Sequence, residues 1–113
     1  MGPFDRIIWT KKSNTQHAVI ITFNYGIEEL DDLFELESKL RNAIELKQVG
    51  EYDGHEIAMD SSDGTLYMYG PNAETLFKCI KPILDETEFM RGAIAHLRFG
   101  PPSHDVKEIE IEL

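Results

Sequence analysis

A chain of 113 residues has the length of one domain and can bury a single hydrophobic core. Its 42% hydrophobic and 10% aromatic content excludes an unstructured chain. With 21 acidic against 11 basic residues and a formal charge of -10, it is ill suited to DNA, RNA or anionic membranes, all of which select clustered Lys and Arg.

The single cysteine, Cys79, leaves no intramolecular disulfide and points to a reducing compartment. Met1 to Arg6 lacks the charged start and long apolar centre of a secretory signal, and Arg6 breaks the myristoylation pattern. A cytoplasmic location is expected. Asp5 to Thr10 is β-prone, and Lys11 to Gln16 is turn-like. Ala18-Val19-Ile20-Ile21-Thr22-Phe23 predicts a strand that Asn24-Tyr25-Gly26 ends. Its two faces, Val19, Ile21, Phe23 and Ala18, Ile20, Thr22, are both apolar enough for a central position. The apolar run Ala18 to Ile21 is far too short to span a bilayer.

Ile27 to about Lys47 predicts an amphipathic helix with Leu30, Leu33, Phe34, Leu40, Ala43 and Ile44 as its apolar stripe. Glu28, Glu29, Asp31, Asp32, Glu35 and Glu37 fill its first half and Lys39, Arg41 and Lys47 its second, the order the helix dipole favours. Glu51 to Met59 predicts a strand with Ile57 and Met59 on one face, Glu56 and Ala58 on the other. Asp60-Ser61-Ser62-Asp63-Gly64 reads as a hairpin turn; it lacks the alternating acids and the terminal Glu of a calcium loop. Thr65 to Tyr69 completes the hairpin. Gly70-Pro71 stops it, and Asn72 is a good N-cap for a helix carrying Leu76, Phe77, Ile80, Ile83 and Leu84. Pro82 should kink that helix or end it near Lys81. Gly92 to Phe99 is a further strand and Gly100 to Asp105 a rigid turn. In Val106 to Leu113, Ile109, Ile111 and Leu113 alternate with the outward Glu108, Glu110 and Glu112.

The order is ββαββαββ in a single α+β domain over residues 1–113, whose middle has the sequence of a ferredoxin-like split βαβ core. One-sided helices and alternating strands predict two helices on one face of a largely antiparallel sheet. Val19, Ile21, Ile57, Met59, Leu66 and Met68 should face the helices. The opposite face then collects Tyr67 and Tyr69, Glu56 and Ala58, Ile20 and Thr22, His96 and Arg98, and the last strand's glutamates. Tyr and Arg are common interface anchors; cross-strand pairs that merely stabilise the sheet are the plainer reading. Aromatic sheet faces also stack RNA bases, but glutamates here and the lack of a basic stripe argue against it.

His17, His55, His96 and His104 show no local metal spacing, and Cys79 sits among Leu76, Ile80 and Ile83 as a packed thiol. No catalytic residue, metal or cofactor is expected. The acidic cluster at 28–37, with Asp31, Asp32, Glu35 and Glu37, forms a solvated helix face, or an imitation of nucleic-acid charge offered to a basic toxin or nuclease.

The segments from Tyr25 to Glu37, Val49 to Ile57 and Gly64 to Phe77 together resemble a group of small bacterial proteins without assigned activity, over roughly residues 18–99. The resemblance implies a compact α+β domain and transfers no catalytic residue. Small acidic α+β domains of this kind also look like immunity proteins of toxin–immunity systems, a likeness of size, charge and architecture. The expected function is therefore a non-enzymatic acidic protein-binding module, most specifically an immunity-type inhibitor of a basic bacterial toxin. Its expected partner-binding residues are Tyr67, Tyr69, Glu56, His96, Arg98, Asp31, Asp32 and Glu35. The alternatives are a small-molecule-binding or enzymatic ferredoxin-like domain using His55, His96 and carboxylates, and a homodimer of structural role that pairs its open sheet faces.

Overall fold

With Val19, Ile21 and Phe23 on one face and Ala18 and Ile20 on the other, β1 (His17–Asn24) is apolar on both sides and lies at the centre of a five-stranded antiparallel sheet. The remaining elements are α1 (Asp31–Lys47), β2 (Glu51–Ile57), β3 (Asp63–Gly70), α2 (Ala73–Asp85), a short 3-10 helix (Glu88–Met90), β4 (Ile94–Arg98) and β5 (Glu108–Glu112). The strand order is β2-β3-β1-β4-β5. The computed structural model describes residues 16–27, 29–102 and 105–113. The expected Asp5 to Thr10 strand, most of the Lys11 to Gln16 turn, Glu28 and His104 lie outside the described residues.

Both helices cover one face. Val19, Ile21, Leu66, Met68, Ala95 and Leu97 from the sheet join Leu33, Leu36, Leu40 and Ile44 of α1 and Leu76, Phe77, Ile80 and Leu84 of α2 in one buried cluster. Each large side chain fully buried there contributes about 1.5–3 kcal/mol. The Asn72 side chain accepts from the Thr75 amide at 3.0 Å and caps α2, as expected. The Ala73 amide donates to His17 Nδ1 at 3.0 Å, tying the helix start to β1.

Four local expectations are corrected. The first helix begins at Asp31, not Ile27, because the preceding segment is tied down elsewhere. The Tyr25 and Gly26 amides donate to Ser62 O (2.9 Å) and Ser61 O (2.6 Å) of the β2–β3 turn, and Gly26 takes φ +69°. Phe34 leaves the buried stripe and is half exposed, while Leu36 and Glu37 are buried on it. Met59 does not face the helices: β2 ends at Ile57, and Met59 projects fully into solvent from the turn. The second helix continues through Pro82 to Asp85. Proline there forfeits one hydrogen bond to the Lys78 carbonyl, but Lys78 and Pro82 are both exposed, so water can serve that group.

A register shift between Tyr52 and Gly54 bulges β2 at Asp53. Strict alternation would send Tyr52 to the open face with Gly54 and Glu56. The bulge turns it under α1 instead, where it is 8% exposed.

Candidate functional site

The sheet face away from the helices is built from three rows that cross all five strands. The first runs Glu51, Tyr69, Ala18, Arg98, Glu108; the second Gly54, Tyr67, Ile20, His96, Glu110; the third Glu56, Thr65, Thr22, Ile94, Glu112. Each row follows from pairing plus alternation, so Tyr67, Tyr69, Glu56, His96 and Arg98 share one surface as the sequence predicts. Among the described residues, no helix or strand packs over it. Tyr67, Tyr69, Ile20, His96 and Arg98 are half-buried, and Ala18, set between Tyr69 and Arg98, is fully buried.

Charge is sorted across this face. Acids occupy both edges, Glu51, Asp53 and Glu56 on β2 and Glu108, Glu110 and Glu112 on β5, while His96 and Arg98 lie on the strand beside β5. The Tyr67 hydroxyl donates to Glu56, and that bond, followed by burial, raises its pKa above the usual phenol value. Burial also raises the Tyr69 pKa, with Asp53 adding to the shift and Arg98 opposing it. His96 lies between two carboxylates, its Nε2 against Glu108 and its Nδ1 3.4 Å from Glu110. Arg98 Nε donates to Gly100 O at 2.8 Å. On the β2 side, Asp53, Gly54, His55, Glu56, Tyr67 and Tyr69 line an open depression of about 350 Å³.

Asp31, Asp32 and Glu35 stand elsewhere. They are exposed on the first turns of α1, in the helical layer on the far side of the sheet, where Glu35 pairs with Lys39 at 3.4 Å. The eight expected contact residues thus fall on two opposite surfaces.

A second cluster lies between α1 and β2. Glu37 is 7% exposed, and its Oε2 receives both the Tyr52 hydroxyl and His55 Nδ1, the latter at 2.7 Å. The Arg41 guanidinium lies over the Tyr52 ring, 5.2 Å from its centroid. Burial pushes the Tyr52 pKa well up, and the Glu37 bond and charge add to it against Arg41. Sequence reasoning assigned Glu37 to the acidic surface. The available signal was its spacing, four residues from Leu33 and three from Leu40, inside the apolar stripe.

The two histidines offered as acid–base groups each meet a carboxylate, but His55 faces the helices and His96 the open side. They do not converge. Cys79 Sγ contacts Ala43 O at 3.6 Å between the helices, and burial raises its pKa, with Lys47 opposing; the group is held as a thiol. Among the described residues, no group of three or more His, Cys, Asp or Glu side chains could hold a metal ion, and no helix is long and apolar enough to cross a membrane. No protein-family model matches the chain, and a search of curated proteins finds no match.

Proposed function

We propose that this chain is a non-enzymatic protein-binding module whose open sheet face docks a basic protein, acting as an immunity-type inhibitor that masks the active cleft of a bacterial toxin. One observation carries the reading: two tyrosines and an apolar centre, Ala18 and Ile20, lie between two acidic rims on a face that no helix covers among the described residues. Tyrosines supply large contact area at small entropic cost, and acidic rims steer a cationic surface into place. A cytoplasmic site of action fits the lone cysteine and belongs to the proposal.

The finer fold reading, a ββαββαββ order with a ferredoxin-like core, goes with it. In its favour, β3 is antiparallel to both β1 and β2 and lies between them, and β1 lies likewise between β3 and β4.

Co-purification from the native host tests the function. The expected partner is basic and toxic, is neutralised when this chain is co-expressed, associates more slowly as salt rises, and is lost on combining Tyr67→Ala with Tyr69→Ala. Recovery of no such partner, or a complex indifferent to the double substitution, refutes the proposal.

A further inference from the structure

Inside the chain, Tyr52, Glu37 and Arg41 form a three-part unit. The phenol hydroxyl donates to a glutamate, and a guanidinium sits over the ring, 5.2 Å from its centroid. On the other face of the same strand pair, Tyr67 and Glu56 repeat the first two members, with the Tyr67 hydroxyl donating to Glu56. Among the described residues, nothing supplies the third. The nearby Arg98 donates its Nε to Gly100 O. The space beside Tyr67 is open because its register partner is Gly54, where an added Cβ would meet nothing within 4 Å. Asp53, His55, Glu56 and Tyr69 complete the lining of the depression.

We infer that the depression formed by Tyr67, Tyr69, Asp53, Gly54 and Glu56 is a seat for an arginine side chain of the partner protein. The inference rests on the protein-binding reading above and names the contact at its centre. A guanidinium is flat enough to lie on the Tyr67 ring while its edge donates to the Glu56 oxygen that the hydroxyl leaves available, and Asp53 supplies a second carboxylate. An ammonium is a compact, strongly hydrated charge and gains less from ring and carboxylate together. The −1 charges of Asp53 and Glu56 exclude an anionic occupant, and the absence of a side chain at Gly54 leaves the length of an extended arginine room to enter over the strand edge.

The test is a titration of the whole chain with an acetylated tri-arginine amide in about 0.15 M salt, followed by amide chemical shifts, with a tri-lysine amide as control. The expected result is saturable shifts at Asp53, Gly54, Glu56 and Tyr67, with tri-arginine bound at least about threefold more tightly than tri-lysine. Tyr67→Ala should weaken binding by about threefold or more, while Tyr67→Phe, which keeps the ring, stays within about twofold of the parent. The spectra themselves report whether each variant is folded; should Tyr67→Ala not fold, Glu56→Gln must show the same weakening. Equal affinity for the two peptides, indifference to Tyr67→Ala, shifts centred on Asp31, Asp32 and Glu35, or no saturable shift each overturns the seat. A tyrosine-dependent basic partner without arginine-peptide binding refutes the seat alone. Arginine binding here with no partner recovered refutes the protein-binding reading alone.

Discussion

Truncating Glu37 to alanine is the sharpest test of what docks the edge strand β2 onto α1. Glu37 Oε2 receives the Tyr52 hydroxyl and His55 Nδ1, and Tyr52 is 8% exposed, so its hydroxyl would find no replacement acceptor from solvent. An unsatisfied buried hydroxyl costs about 1–3 kcal/mol. His55 adds little, since its side chain is 28% exposed and water can take over its nitrogen. The lost methylene packing adds ~1 kcal/mol. The expected loss is about 2–4 kcal/mol, or a fall in melting temperature of ~8–16 °C at roughly 4 °C per kcal/mol for a domain of this size.

Urea and thermal denaturation followed by circular dichroism measure it. A double-mutant cycle pairing Glu37→Leu with Tyr52→Phe should give a coupling of about 1–2 kcal/mol, because either change alone removes the same bond. Replacing all three groups, Glu37→Leu with Tyr52→Phe and His55→Leu, leaves no unpaired polar atom and should recover stability to within about 1 kcal/mol of the parent. A Glu37→Ala loss below ~1 kcal/mol, or an additive cycle, refutes the argument that this buried carboxylate holds β2 in place.

Tyr25, Tyr52, Tyr67 and Tyr69 all have raised pKa values, so in alkali the unfolded chain ionises before the folded one. Their contribution is complete below the unfolded phenol pKa of about 10 and is lost as pH rises through the higher folded values; urea midpoints taken across that range should fall. The fall should be flatter in Tyr52→Phe, and an equally steep decline in that variant would contradict the assignment. Gly50 has φ +153°, and a Cβ there would lie 2.2 Å from Tyr69 O, so Gly50→Ala should cost at least ~2 kcal/mol in thermal melts. Gly92, at φ +80° with nothing within 4 Å, supplies the contrast: Gly92→Ala carries only the backbone penalty of about 1–2 kcal/mol, and equal losses at the two sites would sink the close-approach account.

The open face was legible in the sequence because it depends on one rule. Side chains alternate, and Leu66 and Met68 are apolar enough to declare which side is inward, so Tyr67 and Tyr69 must point outward. The same parity placed Ile20, His96 and Arg98 correctly. Carried on to Tyr52 it would fail, because the Asp53 bulge resets the alternation, and a bulge leaves no mark in the period of its neighbours. The start of α1 was missed for a different reason. Its acid-rich approach has helical composition, but Tyr25 and Gly26 bond to a turn more than thirty residues later, and Tyr25 packs edge-on against Phe89 at 5.0 Å. Asp31, Asp32 and Glu35 were joined to the tyrosines by charge alone, and charge carries no information about which layer a helix surface faces.

The sorting of charge also separates the proposed basic partner from a second copy of the chain. Two open faces can meet about a two-fold axis lying between them, either along the strands or across them. Along the strands, Tyr67 and Tyr69 of one copy would cover His96 and Arg98 of the other, which favours pairing, yet the β2 rim with Glu51, Asp53 and Glu56 would then lie on the β5 rim with Glu108, Glu110 and Glu112. Across the strands, each acidic rim would meet its own copy. Both arrangements oppose like charges at both edges, and screening by salt would ease the repulsion. A cationic surface turns the same rims attractive, and screening would weaken it. Ionic strength therefore acts with opposite sign on the two modes of association, and the face as built, with its acids outermost and its tyrosines inside them, favours a partner that brings the positive charge the chain itself lacks.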